Sequence, residues 1–265
     1  MSDPTPQPLL VVGAGIAGVT AAIEAAEAGR DVVLLEKEAS IGGRVLQLHH
    51  YFPKLCPPSC GMEINTRRLE RNPRVRVLTQ GELKAAQNGT VTVRQAPAYV
   101  NDRCTACGKC SEVCPAKVKD PHNLGMSEVP AIRLPHPNAW PYRYTLDREA
   151  CRDGCQACVD ACEYDAIDLD VREREETLEV GSVVVATGWH AYPLEKLPEL
   201  GGGTLPNVIS NVQMERLASS GGPTALSSTG RPARKAATPV STRASTTPST
   251  SRPGRATRRW RSPRW

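Results

Sequence analysis

At 265 residues the chain has room for one large or two modest domains, and with 4% aromatic residues its core must be built from aliphatic side chains and alanine. The formal charge of +5 misleads, because residues 221–265 hold ten of the 33 basic residues and no acid, leaving residues 1–220 with 23 basic against 28 acidic, a net of −5. This excludes a nucleic-acid partner argued from overall basicity, and no apolar run approaches the ~20 residues of a membrane span; ten cysteines without a secretory signal point to metal or redox work in the cytoplasm.

Residues 8–12 (Pro-Leu-Leu-Val-Val) read as a strand that ends at Gly13. Gly13-Ala14-Gly15-Ile16-Ala17-Gly18 follows, and then an alanine-rich stretch that predicts a helix to Ala28, stopped by Gly29. A second apolar run, Val32 to Leu35, ends in Glu36. Strand, glycine loop, helix, strand and acid in this order make the dinucleotide-binding fingerprint. Gly13 permits the tight turn, Gly15 lets the backbone approach a pyrophosphate at the helix N-terminus, Gly18 allows close helix–strand packing, and Glu36 is placed for ribose hydroxyls. Ile41-Gly42-Gly43-Arg44, close behind, resembles the pattern of flavoprotein FAD domains, so FAD is expected rather than NAD.

The next loop reads Tyr51-Phe52-Pro53-Lys54-Leu55-Cys56-Pro57-Pro58-Ser59-Cys60-Gly61. Three readings stand for Cys56 and Cys60: a redox dithiol, extra cluster ligands, or chemically quiet buried thiols. They are the only candidates for a catalytic role. His49 and His50, just upstream, read as a solvated loop. Val75 to Leu78 predicts another strand, and Thr90 to Arg94 a half-exposed strand after the turn Asn88-Gly89.

The cysteine-rich stretch begins near Tyr99. Cys104-x2-Cys107-x2-Cys110-x3-Cys114-Pro115 has the spacing of a bacterial [4Fe–4S] ferredoxin, and Cys151-x3-Cys155-x2-Cys158-x3-Cys162 repeats it with one extra residue. Zinc favours paired Cys-x2-Cys sets, and a disulfide framework belongs to small secreted domains. Two clusters are therefore expected. In two-cluster ferredoxins the fourth cysteine of each run serves the other cluster. The expected sets are Cys104, Cys107, Cys110 with Cys162, and Cys151, Cys155, Cys158 with Cys114.

Beyond the cysteines, Ala166 to Val171 predicts an alternating strand, Glu179 closes a charged turn, and Ser182 to Ala186 reads as a buried strand. That strand ends in Thr187-Gly188, an Ala-Thr-Gly signature by which FAD domains bring backbone to the cofactor. The expected fold is α/β: a Rossmann-type FAD-binding domain in two segments, 1–98 and 166–220, with an α+β two-cluster ferredoxin module inserted at 99–165. From 221 to 265 there is one Leu, one Val and no Ile, Met, Phe or Tyr, too little apolar surface to offset ordering entropy, so a disordered basic tail is expected.

Taken together, Gly13–Gly18 with Glu36, Gly42-Gly43-Arg44, the Cys56–Cys60 loop, the two cysteine runs and the Ala-Thr-Gly strand resemble the heterodisulfide reductase A-subunit family over about residues 8–218. Within it the 51–61 loop looks most like the A-subunit of the quinone-interacting membrane-bound oxidoreductases (Qmo). The resemblance implies an FAD and iron–sulfur electron-transfer oxidoreductase subunit working with other redox subunits. In the quinone-interacting case the partners include adenylylsulfate reductase, at the inner face of the membrane; in the heterodisulfide case the flavin splits electron pairs. Such flavoproteins complete the FAD site with a later Gly-Asp pair, which is not present in this sequence. The expectation is that the C-terminal half is missing or frame-shifted, with a truncated, non-catalytic iron–sulfur fragment as the rival reading.

Overall fold

The computed structural model describes residues 7–51, 53–219, 222 and 223; apart from 222 and 223, the tail expected at 221–265 lies outside the described residues. β1 (Leu9–Val12) runs through the glycine loop into α1 (Ile16–Glu27), β2 (Val32–Leu35) follows, and α2 (Ser59–Arg71) leads to β3 (Val75–Leu78). β4 (Gly81–Gln87) and β5 (Thr90–Gln95) form a hairpin across Asn88 and Gly89, whose φ values of 50° and 79° are those a tight two-residue hairpin turn requires. Short elements come next: α3 (Lys109–Glu112), β6 (Lys117–Lys119), β7 (Glu128–Pro130), β8 (Ile132–Arg133), β9 (Thr145–Leu146) and α4 (Ala157–Asp160). β10 (Arg174–Glu179), β11 (Ser182–Val185) and α5 (Asn211–Ala218) end the order.

Four strands form a parallel sheet in the order β11-β1-β2-β3, and β10-β5-β4 form an antiparallel meander. Successive strand residues face opposite ways. On one face Val11, Val32 and Leu34 meet Val19, Ala22, Ile23 and Ala26 of α1 and Met62 and Leu69 of α2. On the other, Leu10, Val33, Leu35 and Leu78 meet Val91 and Val93 of β5. With both faces covered, β2 is an unbroken apolar run with all four residues buried. β5 has only one face inward and alternates accordingly.

The residues between β5 and β10 gather around a core of their own, in which Val100, Ala131, Ile132, Leu146 and Ile167 pack with Cys110 and Cys158. Because Gln95 pairs with Arg174, this stretch leaves and rejoins the meander at one place. A buried polar junction fastens it to the parallel-sheet half. Asp120 accepts from His122 N (2.9 Å), Asn123 Nδ2 (2.7 Å) and Ser127 Oγ (3.2 Å), and Asn123 Oδ1 accepts from Arg216 Nε on α5 (2.9 Å). His122 and His136 stack with ring centroids 5.3 Å apart, and His136 Nε2 lies 3.1 Å from Ser40 Oγ. Burial first, and then the neighbouring Arg216 charge, pushes both imidazoles down to about 4.

Three expectations need correction. Residues 166–171 make a single bridge, Val100 to Ile167, and the strand lies further on, where the charged run 174–179 is β10 rather than a turn. Its charges are accommodated by ion pairs on two sides: half-buried Glu176 with Arg76 of β3 at 2.6 Å, and exposed Glu175 with Lys84 of β4, across the meander, at 2.9 Å. β11 is not buried. It pairs with β1 on one side, no strand flanks its other side among the described residues, and Val183, Val184 and Val185 are 40, 37 and 70% exposed. Its three valines make it nearly as apolar as β2, and the neighbours decide the difference in burial. β4 and α5 carry no clear sequence signal of an element; α5 is opened by a capping box between Ser210 and Gln213.

Two outcomes follow for stability. Leu34→Ala, at a fully buried position, should cost about 2–5 kcal/mol in urea unfolding, whereas Val184→Ala on the open edge should change stability by less than about 0.5 kcal/mol. Because both histidines bind protons less readily folded than unfolded, their contribution is fully present above about pH 6.5 and is lost as pH falls toward about 4. The urea midpoint should therefore drop between pH 7 and pH 5, and drop less in His136→Gln.

Candidate functional site

The dinucleotide half of the site forms where β1, β2 and β11 end. Gly13 has φ +98°, and a Cβ there would stand 2.5 Å from the Ala186 carbonyl oxygen and 3.2 Å from Thr187 Cα. The turn and the close approach of β11 both demand glycine. A Cβ on Gly18 would fall 1.8 Å from the Gly13 carbonyl oxygen, so the helix seats directly on the loop. Gly15 is different: nothing lies within 4 Å of its missing Cβ, so the loop presents open backbone just where α1 begins. The unpaired N–H groups of the first turn of α1, which has no side-chain cap, face that opening.

Glu36 is 7% exposed; its Oε2 accepts from Ala14 N at 2.7 Å and its Oε1 from Glu38 N at 3.0 Å. It thus pins the glycine loop from below, a task the sequence did not reveal, and each oxygen keeps a further lone pair for a hydroxyl donor. Gly42 donates to the Ala14 carbonyl at 2.8 Å and bridges Gly15, while a Cβ on Gly43 would come within 3.0 Å of Gly15 Cα. Arg44 reaches to the segment after β11: Nε donates to the Trp189 carbonyl at 2.5 Å, Nη2 lies 2.6 Å from His190 Nδ1, and the guanidinium stands 5.6 Å from the Trp189 ring centroid. That contact brings Arg44 to the residues just after Thr187 and Gly188. The nine residues singled out for the cofactor therefore converge.

Four of the eight cysteines in these runs converge as well, across the two runs. One pocket, partly open to solvent, is lined by Cys104, Cys107 and Cys110 from the first run and by Cys162 from the second, with Val100, Tyr144, Ala161 and Ile167 among the other walls. Gly108 at φ +93° and Ala106 at φ +54° wrap the first loop, and Ala106 N and Ala166 N each lie 3.4 Å from a cysteine sulfur, Cys104 and Cys162 respectively. Lys109 pairs with Glu163, and Arg103 with Asp165 at 2.8 Å, so ion pairs tie the two loops together beside the pocket.

Burial, with the Cys104 and Cys107 charges nearby, pushes the Cys110 thiol up to about 11. Cys158 is raised by burial and by Cys151, with Cys114 from the other run also contributing. Thiols crowded in this way ionise together only if cations hold them. Among the described residues no three His, Cys, Asp or Glu groups are arranged to hold a single metal ion. One zinc needs all its sulfurs at about 2.3 Å, whereas a cubane binds each thiolate at a separate iron, so four thiols spread around a pocket fit the cluster.

Cys56 is half-buried with Sγ 3.7 Å from the Lys54 carbonyl oxygen, and Cys60 is exposed in the first turn of α2; both are free thiols. His49 is held through its backbone N–H by Glu215 Oε2 at 2.8 Å, and its ring lies 3.7 Å from that of His50. Sequence reasoning missed Tyr144 on the cysteine pocket, Arg148 at Cys151, and the clasp of Ser40 with His136 and Trp140. No motif joins these residues; only the fold does.

Residues 11–78 match the family described as NAD(P)-binding Rossmann-like domain, and residues 103–167 the family described as 4Fe-4S dicluster domain. The chain is 37% identical over 230 residues to the A-subunit of the ferredoxin:CoB-CoM heterodisulfide reductase of Methanosarcina acetivorans, covering 82% of this chain and 29% of that one. It is 39% identical over 225 residues to the first iron-sulfur A-subunit of the CoB–CoM heterodisulfide reductase of Methanopyrus kandleri, covering 82% of this chain and 33% of that protein. With the A-subunit of the H(2):CoB-CoM heterodisulfide,ferredoxin reductase of Methanothermobacter marburgensis it shares 35% identity over 221 residues, 81% of this chain and 33% of the relative. The chain thus spans about a third of the length of the relatives it matches, and over four-fifths of its own length it is similar to the A-subunits of heterodisulfide reductases.

Proposed function

We propose that this chain is the flavin and iron–sulfur electron-transfer portion of a multi-subunit oxidoreductase of the heterodisulfide reductase A type. The observation that carries the reading is the pocket shared by Cys104, Cys107, Cys110 and Cys162, together with a glycine loop whose open face is at Gly15. Cys104, Cys107, Cys110 and Cys162 would hold one [4Fe–4S] cluster, and Cys151, Cys155, Cys158 and Cys114 the other. The module 99–165 would be the ferredoxin insert, and 1–98 with 166–220 the FAD-binding segments.

Gly13, Gly15, Gly18, Gly42, Gly43, Thr187 and Gly188 would present backbone to FAD, and Glu36 would take its ribose. Arg44 fixes the segment that follows Thr187 and Gly188 against the 42–44 loop. FAD, when bound, supplies exchange between two-electron and one-electron chemistry, and the clusters supply one-electron carriers. The chain's own work is to space these groups, keep water from the buried thiols and set the charge around them. Partner subunits would deliver and remove the electrons, and with no helix among the described residues long and apolar enough to cross a membrane, contact with a membrane would run through such partners.

The 51–61 loop favours a second, finer reading, a quinone-interacting complex with adenylylsulfate reductase as partner, whose mark would be cluster reduction by menaquinol in the assembled complex. Iron, labile sulfide and flavin counts on reconstituted protein test the main reading. Clusters with flavin support electron transfer, and clusters without flavin favour a non-catalytic fragment.

Crossed ligation has its own test. Cys162→Ala should damage the same electron paramagnetic resonance signal as Cys107→Ala, and Cys114→Ala should damage the other; if Cys114→Ala and Cys107→Ala strike one signal, each run serves its own cluster. Glu36→Ala should weaken FAD binding by about 1–3 kcal/mol in calorimetric titration while leaving iron content unchanged.

A further inference from the structure

The loop between β8 and β9 reaches from the cysteine pocket to the dinucleotide loop. At one end, Tyr144, which walls the pocket, runs directly into β9. At the other, the loop meets Ser40 and Ile41, the residues that lead into Gly42. Ser40 is 5% exposed. Its Oγ accepts from Trp140 N at 2.9 Å and lies 3.2 Å from the Trp140 carbonyl and 3.1 Å from His136 Nε2. Ile41 N donates to the same Trp140 carbonyl at 3.0 Å. The Trp140 indole is anchored separately, donating to Glu70 Oε1 on α2 at 2.6 Å. From Ile41 the path is short: Gly42 N donates to the Ala14 carbonyl and Gly42 bridges Gly15, the glycine with the open face.

We propose that this clasp makes Ser40 a positioning residue that couples filling of the cysteine pocket to the shape of the dinucleotide loop, so that clusters and FAD favour each other's binding. The inference rests on the reading that FAD and clusters occupy these sites. Ser40 touches neither site. A hydroxyl group this buried, with three polar partners on a segment distant in sequence, fixes one arrangement of the 40–42 backbone. An ordered pocket holds the β8–β9 loop in place, and the loop holds Ser40. An empty pocket leaves Tyr144 with one wall fewer to pack against and, with it, loosens the clasp. Linkage then requires the two affinities to change by the same factor.

The test is FAD titration of the whole protein, cluster-loaded and stripped by chelator, in wild type and Ser40→Ala. Stripping iron should weaken FAD affinity about tenfold in the wild type, a coupling within the usual range. Loaded Ser40→Ala should bind FAD about tenfold more weakly than loaded wild type, lose little more on stripping, and keep the wild-type iron content and paramagnetic signals. A merely structural role for Ser40 would lower iron content together with affinity. Equal FAD affinity of loaded and stripped wild type, or an undiminished gap in Ser40→Ala, overturns the coupling. Absence of FAD binding by loaded wild type would instead overturn the FAD reading, and the coupling with it. Should Ser40→Ala fail to fold, Glu70→Ala removes the acceptor of the Trp140 indole without altering the loop and should narrow the same gap; an unchanged gap there also overturns the coupling.

Discussion

The ladder between β5 and β10 is the constraint on which the other parts depend. Six residue pairs, from Gln95 with Arg174 to Thr90 with Glu179, close a long excursion of chain at its base. Closing a long loop costs only slowly more entropy as it lengthens, so a domain-sized insertion is tolerable if its ends are held. The ladder also delivers the chain to Gly181, whose N–H donates to the Pro8 carbonyl, and so sets β11 in register beside β1. Without that register Ala186 and Thr187 would not reach Gly13, and the glycine loop would lack one wall. The ladder's exposed ion pairs contribute little to stability. Its strength is the apolar underside, where Val91 and Val93 close over the second face of the parallel sheet.

Two kinds of crowding shape the site. At the glycine loop it is steric and backbone-made, and it is relieved by residues without side chains. At the cysteine pocket it is electrostatic, since sulfur atoms gathered in a half-buried space resist ionisation until cations join them. The first kind is settled when the chain folds; the second would be settled only by bound cations. The buried junction of Asp120, Asn123, His122, His136 and Arg216 stands between them. Its groups join three separate stretches of chain, by hydrogen bonds between residues 120–123 and Arg216 and by the stacked rings of His122 and His136, which ties the orientation of the insert to the parallel-sheet half.

What was legible in the sequence is what local backbone geometry writes into residue choice. Gly13 and Gly18 stand where a Cβ cannot, Asn88-Gly89 where φ must be positive, and the cysteine spacing follows the wrap of a loop around a cluster. What was not legible depends on neighbours. The Ser-Val-Val-Val of β11 reads like a buried strand because composition does not say what lies alongside it. The charged β10 reads like a turn because its partners, Arg76 and Lys84, are remote in sequence. Ser40 and His136 are 96 residues apart, and a serine carries no mark of the contact it will make.

The open edge of β11 has a consequence for the protein in solution. It offers an unsatisfied row of backbone donors and acceptors flanked by valines that nothing shields among the described residues. Edge strands in stable proteins are blunted by lysine, proline or a bulge, and Ser182–Val185 has none of these. Such an edge matches any extended segment through main-chain hydrogen bonds, a kind of contact that persists at high salt, where charge-driven contacts fade.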